Sequence, residues 1–258
     1  MRDSGLRAAI DAVGGVSELA RRVGISQPSV SNWDKVPAER VLAVESATGV
    51  SRIQLRPDLY ADLTTDGDVD EIELARAQEY ALLATLLSRA PEAEFLTRLS
   101  RLSGDASPLG MAHIALGEAA ARRGTDDVQD EYFNLFVGIG RGELLPYGSY
   151  YLTGFLNERP LARLRADLRE FGIVRAEHNV EPEDHAATLC EIMSGLAGRR
   201  LPAPEGAQRI VFDKHMAPWI GRFFADLERA EAADFYSRVG ALGRVFIEIE
   251  AEAFALTG

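Results

Sequence analysis

The sequence predicts an all-α protein with a small helical domain followed by a larger helical bundle. Apolar residues recur at spacings of three and four along most of the chain, and no segment alternates apolar and polar residues as a strand would. Glycines and prolines interrupt this pattern where helices are expected to end or begin. Hydrophobic residues make up 47% of the 258 residues, which is enough for a substantial core.

Charge divides the chain into two regions. Residues 1–60 contain eight basic and seven acidic side chains, a net charge of +1; the whole chain carries -12, so the remainder carries -13. Between these regions, residues 61–70 (ADLTTDGDVD) include four aspartates and no basic residue, which is typical of a solvated linker. We expect a domain at 1–60, an acidic linker at 61–70 and a second domain at 71–258.

Composition also excludes several classes of protein. The single cysteine, Cys190, rules out an internal disulfide, and a metal site built from His178, His185 and Cys190 has no recognised ligand spacing. We therefore expect no metal. The start of the chain lacks a signal-peptide core, and no apolar run approaches the roughly 20 residues of a membrane span. We expect a cytoplasmic protein.

The first helices follow from local signals. Leu6, Ile10 and Val13 share one helical face that ends at Gly14-Gly15. The run SELARRVGISQPSVSNW (17–33) then predicts two short helices, with Ser17 and Ser26 as N-caps and Gly24 in the turn. The inward positions are apolar: Ala20, Val23, Ile25, Val30 and Trp33. This pattern predicts a helix-turn-helix.

The outer face of the second short helix suits DNA, because amides and hydroxyls can pair with base edges. The segment resembles the Cro-like repressors, most closely the YdaS-type group, from Ser17 through Trp33 and on to Tyr60. A bundle that only dimerises is the alternative, because a net charge of +1 is low for phosphate binding. A DNA-binding module of this size would act as a dimer. The candidate DNA-binding residues are Arg21, Arg22, Ser26, Gln27, Ser29, Ser31 and Asn32.

Helical stripes fill the larger domain, beginning with Ile72, Ala75, Tyr80, Leu83, Leu86 and Leu87 and recurring at 93–102, 109–123, 127–137, 160–171, 183–197, 213–229 and 233–255. One stretch, 138–151, is irregular. Its three glycines at alternate positions follow a predicted helix, not a strand, and no GKS or GKT ends the run. We therefore expect a surface loop and no nucleotide cofactor.

The run EPEDH (181–185) has two interpretations. Pro182 suits a first helical position, Glu183 and Asp184 suit the first turn, and His185 continues the apolar stripe of the helix that follows. This describes a well-started helix with a buried histidine, or a functional cluster at its start. A hydrolase using Asp184 and His185 is disfavoured, since helical neighbours point about 100° apart and no nucleophile is placed beside them.

Four motifs follow one another along the larger domain: E-x-x-x-L-F (Glu131, Leu135, Phe136, then Gly138), P-Y-x-S-x-Y (Pro146, Tyr147, Ser149, Tyr151), E-P-x-D-H (Glu181, Pro182, Asp184, His185) and a Phe-x-x-His…Trp helix (Phe212, His215, Trp219, Phe223). Through these motifs, about residues 72–254 resemble the TorD/DmsD family of redox-enzyme maturation chaperones.

The resemblance implies a binding protein, not an enzyme. It would hold the twin-arginine signal peptide or apoprotein of a molybdopterin oxidoreductase. Clients in the family's range include formate dehydrogenase and sulfoxide or amine-oxide reductases. The sequence leaves open whether the protein forms a homodimer. A receptor for such a leader should offer carboxylates beside an apolar groove, for which Tyr147, Tyr151, Phe212 and Trp219 are candidates. The peptide-binding residues implied are Glu131, Pro146, Tyr147, Ser149, Tyr151, Glu181, Pro182, Asp184, His185, His215 and Trp219. The alternative is a transcriptional regulator that senses unoccupied client.

Overall fold

The computed structural model describes residues 3–50, 52–56, 58, 71–174 and 181–256. The chain divides into two compact units, residues 1–70 and 71–258. The predicted linker at 61–70 and His178 lie outside the described residues.

The first unit is a small helical bundle. Its helices are α1 (Ser4–Val13), α2 (Val16–Val23), α3 (Gln27–Ser31), α4 (Val41–Thr48, preceded by a 3-10 turn at Ala38–Arg40) and α5 (Arg52–Leu55). A buried core joins all five helices through Leu6, Leu19, Val30, Val41 and Leu55. The helix-turn-helix pattern is therefore realised by α2 and α3, with Ala20 and Val30 buried and Val23, Ile25 and Trp33 packed against the core.

Helix ends in this unit follow the local signals with one exception. Gly14 and Gly24 both adopt the left-handed conformation and end α1 and α2. Ser26 caps α3, since its side chain accepts a hydrogen bond from the Ser29 backbone N–H. The predicted cap at Ser17 is wrong: Gly15 is the N-cap and Ser17 lies inside α2, because the chain turns into the helix directly after the glycine pair.

The second unit contains ten of the described helices: α6 (Glu71–Ser88), α7 (Ala93–Leu99), α8 (Pro108–Arg122), α9 (Thr125–Tyr132), α10 (Gly148–Thr153), α11 (Arg159–Glu170), α12 (Ala186–Ala197), α13 (Ala207–Val211), α14 (Ile220–Arg229) and α15 (Phe235–Leu256). Single π-helical turns at Phe133–Val137 and Phe212–Met216 extend α9 and α13. The described residues form no strand, only one isolated bridge, so the all-α prediction is confirmed.

The core of this unit lies between long helices. α12 packs along α6, and α15 packs against both α14 and α8. Every residue of α12 is buried except Thr188 and Glu191. Helix α12 therefore runs through the middle of the bundle and holds the segment before it, residues 181–185, in a fixed position.

Four predictions for the second unit differ from the structure. The helix expected at 183–197 begins at Ala186, and the helix expected at 213–229 is interrupted between Met216 and Ile220, where Pro218 has no N–H to donate. The irregular stretch at 138–151 contains the start of α10. Ile72 was expected on the apolar face of α6 but is 66% exposed, since it lies in the first turn of that helix.

Candidate functional site

The second and third motifs meet through the backbone. The Gly148 N–H donates to the Asp184 carbonyl at 2.9 Å, and the Ala186 N–H donates to the Pro146 carbonyl at 2.8 Å. These bonds form an antiparallel bridge between Tyr147 and His185. An extended backbone is needed for this pairing, and that is why α12 starts after His185 and not at Pro182.

Asp184 is the most unusual side chain of this junction. It is 3% exposed, and its Oδ2 accepts the Ser149 backbone N–H at 2.7 Å. Its Oδ1 is buried and has no hydrogen-bond partner among the described residues. An unsatisfied buried carboxylate oxygen is costly, so a cationic donor placed there would be bound strongly.

His185 caps α12. Its Nδ1 accepts the Ala187 backbone N–H at 3.1 Å, and its ring meets the Tyr147 ring edge-on at 4.9 Å. Burial lowers the pKa of His185, although Glu181 and Asp184 oppose that shift. The neutral ring therefore carries its proton on Nε2, since Nδ1 is the acceptor.

The remaining residues of the hinge segment, defined as residues 181–185, bind neighbouring elements. Tyr147 donates its phenol hydrogen to Glu181 at 2.8 Å. The pKa of Tyr147 is raised, mainly by burial and next by the Glu181 carboxylate. Glu183 forms a 2.7 Å ion pair with Arg165 of α11. Pro182 is half-buried, and its carbonyl accepts the His185 N–H.

The fourth motif reaches the junction through its aromatic residue. Trp219 is 2% exposed, donates Nε1–H to the His215 carbonyl at 2.7 Å and packs against Tyr151. His215 is buried, and its Nε2 lies 2.8 Å from Asp167 Oδ2. The structure places Trp219 and Phe212 in the core, while Tyr147 and Tyr151 keep partial exposure.

Three cavities adjoin the hinge segment. The Asp184 cavity, about 490 Å³, is lined by Gly148, Leu152, Arg163, Asp167, Asp184, Asp213, Lys214 and His215 among others. The Glu181 cavity, about 410 Å³, is lined by Thr85, Tyr132, Glu181, His185, Thr188, Glu191, Ser194 and Arg200 among others. The apolar cavity, about 610 Å³, is lined by Arg165, Leu168, Ile173, Glu183, Ile192 and Leu201 among others.

Several of these lining residues were missed by sequence reasoning. Asp167 lies in α11, which contains none of the four motifs, and Asp213 is an unspecified position of the fourth motif, so no local signal singles them out. Thr188 and Glu191 could have been found, because they are the polar residues of an otherwise apolar helix and stand three positions apart.

Glu131 lies elsewhere in the bundle and binds backbone. Its carboxylate accepts N–H groups of Asp234, Phe235 and Tyr236 at 2.7, 3.1 and 2.6 Å. These groups belong to the start of α15, so Glu131 caps that helix from α9. The first motif therefore fixes α15, whereas the second, third and fourth surround the Asp184 cavity.

The candidate DNA-binding side chains of the first unit are all exposed. Gln27, Ser29, Ser31 and Asn32 lie on α3 or directly after it. Arg21 and Arg22 both bind Glu18, at 2.6 and 2.9 Å. Hydrogen bonds from Arg21 and then Arg22 lower the pKa of Glu18 to about 2.

The fold and site define an all-helical binding protein with a small helix-turn-helix unit. Its site presents three cavities and a buried carboxylate with one oxygen that lacks a partner among the described residues, which contain no group of three or more metal ligands. No described helix is long and apolar enough to cross a membrane.

Comparison with known proteins defines the class further. Residues 103–225 match the family described as "Nitrate reductase delta subunit", and residues 6–64 match "Bacterial toxin YdaS". "Chaperone protein TorD" of Vibrio cholerae is 30% identical over 177 residues, which cover 63% of this chain and 80% of that protein. The chain therefore belongs to the TorD/DmsD family of redox-enzyme maturation chaperones, which confirms the resemblance of the four motifs.

Three further proteins are similar to parts of this chain. "Probable Tat proofreading chaperone DmsD" of Haemophilus influenzae is 27% identical over 45% of this chain and 56% of its own length. "Putative transcriptional regulator YdaS" of Escherichia coli is 44% identical over 20% of this chain and 60% of its own length. The solved structure titled "Crystal Structure Of A Putative Redox Enzyme Maturation Protein From Archaeoglobus Fulgidus" is 19% identical, with a TM-score of 0.44 over 67% of this chain and 93% of that chain.

Proposed function

We propose that this chaperone binds the twin-arginine signal peptide, or the apoprotein that carries it, of a molybdopterin oxidoreductase in the cytoplasm before cofactor insertion. The function is binding and release, with no catalytic step. Membership of the maturation-chaperone family supports the client class, and the relative named as a Tat proofreading chaperone supports the leader as ligand.

The observation that carries this proposal is the unpaired Oδ1 of Asp184. The carboxylate is held by the Ser149 N–H, lines a cavity and retains one oxygen without a partner among the described residues. An arginine guanidinium is the protein group best suited to it, because its planar donors form charge-assisted hydrogen bonds with carboxylates. His185 and Tyr147 keep Asp184 in place through the bridge and their ring contact.

The test is co-purification of client from cells expressing the intact tagged chain. We expect mass spectrometry to detect a precursor oxidoreductase that still bears its twin-arginine leader. Asp184→Asn keeps the side-chain shape but removes the charge, so it should reduce recovery of the precursor by tenfold or more, on the order of one charged hydrogen bond. Asp130→Asn, which changes an exposed carboxylate on α9, is the matched control.

A folded, abundant chain that recovers no precursor would overturn the proposal. Equal recovery with Asp184→Asn and Asp130→Asn would remove Asp184 from the binding site while leaving a client interaction elsewhere. Circular dichroism of both variants establishes that each is folded.

DNA binding by the first unit is the second candidate function. It is favoured by the exposed polar face of α3, which follows a turn at Gly24 as the recognition helix of a helix-turn-helix does. A regulator of this kind would report client occupancy to an operator. Replacing Gln27 and Asn32 by alanine should abolish promoter occupancy in chromatin immunoprecipitation and leave enzyme maturation intact. Unchanged occupancy would discard the regulator.

Glu18 provides a separate test of DNA binding. It forms ion pairs with Arg21 and Arg22 in the last turn of α2. Glu18→Gln should release them for phosphate contacts, which would steepen the dependence of log affinity on log salt by up to about 2 units. No change in the salt slope would show that Arg21 and Arg22 do not face phosphates.

A further inference from the structure

The hinge segment separates two of the cavities. Asp184 lines the Asp184 cavity, whereas Glu181 and His185 line the Glu181 cavity, and none of the residues described as lining one lines the other. Glu183 and Asp184 lie in a turn that is closed by the His185 N–H and the Pro182 carbonyl, and the backbone becomes extended at His185, with φ -67° and ψ 137°. Asp184 and His185 therefore contribute their side chains to different cavities.

Both of these cavities carry an excess of negative charge. The Asp184 cavity has three aspartates against Arg163 and Lys214. The Glu181 cavity has two glutamates, Glu181 and Glu191, against Arg200. The apolar cavity has the opposite balance, with three arginines and two glutamates. Each of the first two cavities therefore suits one cation, and the third does not.

The Asp184 cavity also has a buried carboxylate oxygen, Asp184 Oδ1, that lacks a hydrogen-bond partner among the described residues. The Glu181 cavity is lined by His185, whose Nδ1 accepts the Ala187 N–H and whose Nε2 carries the proton of the neutral ring. The neutral ring can donate from Nε2 to a peptide carbonyl, so a chain crossing the hinge segment would find a donor there.

We propose that the two adjacent arginines of the leader separate across the hinge segment, one guanidinium entering each cavity. Neighbouring side chains of an extended peptide project in opposite directions, which matches two acidic cavities that adjoin one segment and share none of their described lining residues. This inference rests on the proposed function. It explains why the two arginines of the leader need to be adjacent in sequence: arginines separated by one residue point to the same side and reach only one cavity.

The test uses the full chain and fluorescein-labelled synthetic peptides in fluorescence anisotropy. Each peptide carries two arginines followed by an apolar stretch, and the arginines are either adjacent or separated by one alanine, so that charge and composition are matched. We expect the separated pair to bind about tenfold more weakly or worse, the loss of one charge-assisted contact.

Protein variants identify which arginine enters which cavity. Asp184→Asn should weaken binding of the adjacent peptide and have no further effect once one particular arginine is alanine; Glu191→Gln should show the same coupling with the other arginine. Asp130→Asn should couple with neither.

The possible failures are distinct. Equal affinity for adjacent and separated arginines, or coupling of both arginines to Asp184, would overturn the separation across the hinge segment and leave the proposed function standing. Wild-type chain that binds none of the arginine peptides would overturn both.

Discussion

Glu131→Ala should strongly lower the free energy of unfolding of the second unit and have little effect on its affinity for peptide. Glu131 accepts three backbone N–H groups at the start of α15, two of them in buried bonds, and alanine would leave these donors without a partner. Burial raises the pKa of Glu131, and the N–H groups of Tyr236 and Phe235 oppose that shift. Hydrogen bonds to a charged group contribute about 1.5–3 kcal/mol each, so we expect the two buried bonds alone to account for a loss of about 3–6 kcal/mol.

The assay is urea unfolding followed by the fluorescence of Trp219, in a Trp33→Phe background so that only the second unit reports. A loss of this size is a large part of the stability of a typical domain, about 5–15 kcal/mol, and should shift the midpoint clearly. Asp130→Ala, at the exposed neighbouring position, is the control. A loss below about 1 kcal/mol together with weaker peptide binding would refute the capping role and place Glu131 at the peptide.

Two further predictions concern packing and pH. Gly148→Ala should lower the melting temperature, at a cost of about 1–3 kcal/mol, because its Cβ would lie 3.0 Å from Trp219 Nε1. Gly221→Ala in α14 meets nothing within 4 Å and should be neutral or stabilise by up to about 1 kcal/mol, and the reverse order would contradict the packing at Trp219. A hydrogen bond to Glu79 raises the pKa of His113 against the effect of burial, so its stabilisation is full below the unfolded pKa of about 6.5 and is lost as pH rises through the folded pKa. The difference between the urea unfolding midpoints at acidic and alkaline pH should therefore be smaller in His113→Gln than in the wild-type chain. An unaltered difference would exclude the His113–Glu79 pair as the source of the pH dependence.

The helices could be predicted from sequence where their signals are local. The ends of α1, α2 and α3 follow from glycines and a serine within one turn of each boundary. The start of α12 could not, because it depends on a carbonyl at Pro146 that is distant in sequence. Local preference favoured Pro182 as the first helical residue, and tertiary backbone pairing overrode it.

The candidate site could likewise be predicted from sequence only in part. The motifs identify Tyr147, Asp184 and His185, and the structure brings them together. The role of Glu131 is invisible in sequence, since its partners lie 103 to 105 residues away. The cavities are equally invisible, because each is assembled from several helices with no shared sequence pattern.

The bridge between Tyr147 and His185 also affects how the protein folds during its synthesis on the ribosome. Ser149 and Asp184 are 35 residues apart, and closing such a loop costs entropy that only later packing repays. A chain leaving the ribosome exposes Ser149 well before Asp184, so this contact cannot form until the segment leading into α12 has emerged. The Asp184 cavity also needs His215, and it is therefore complete only after most of the second unit has been synthesised.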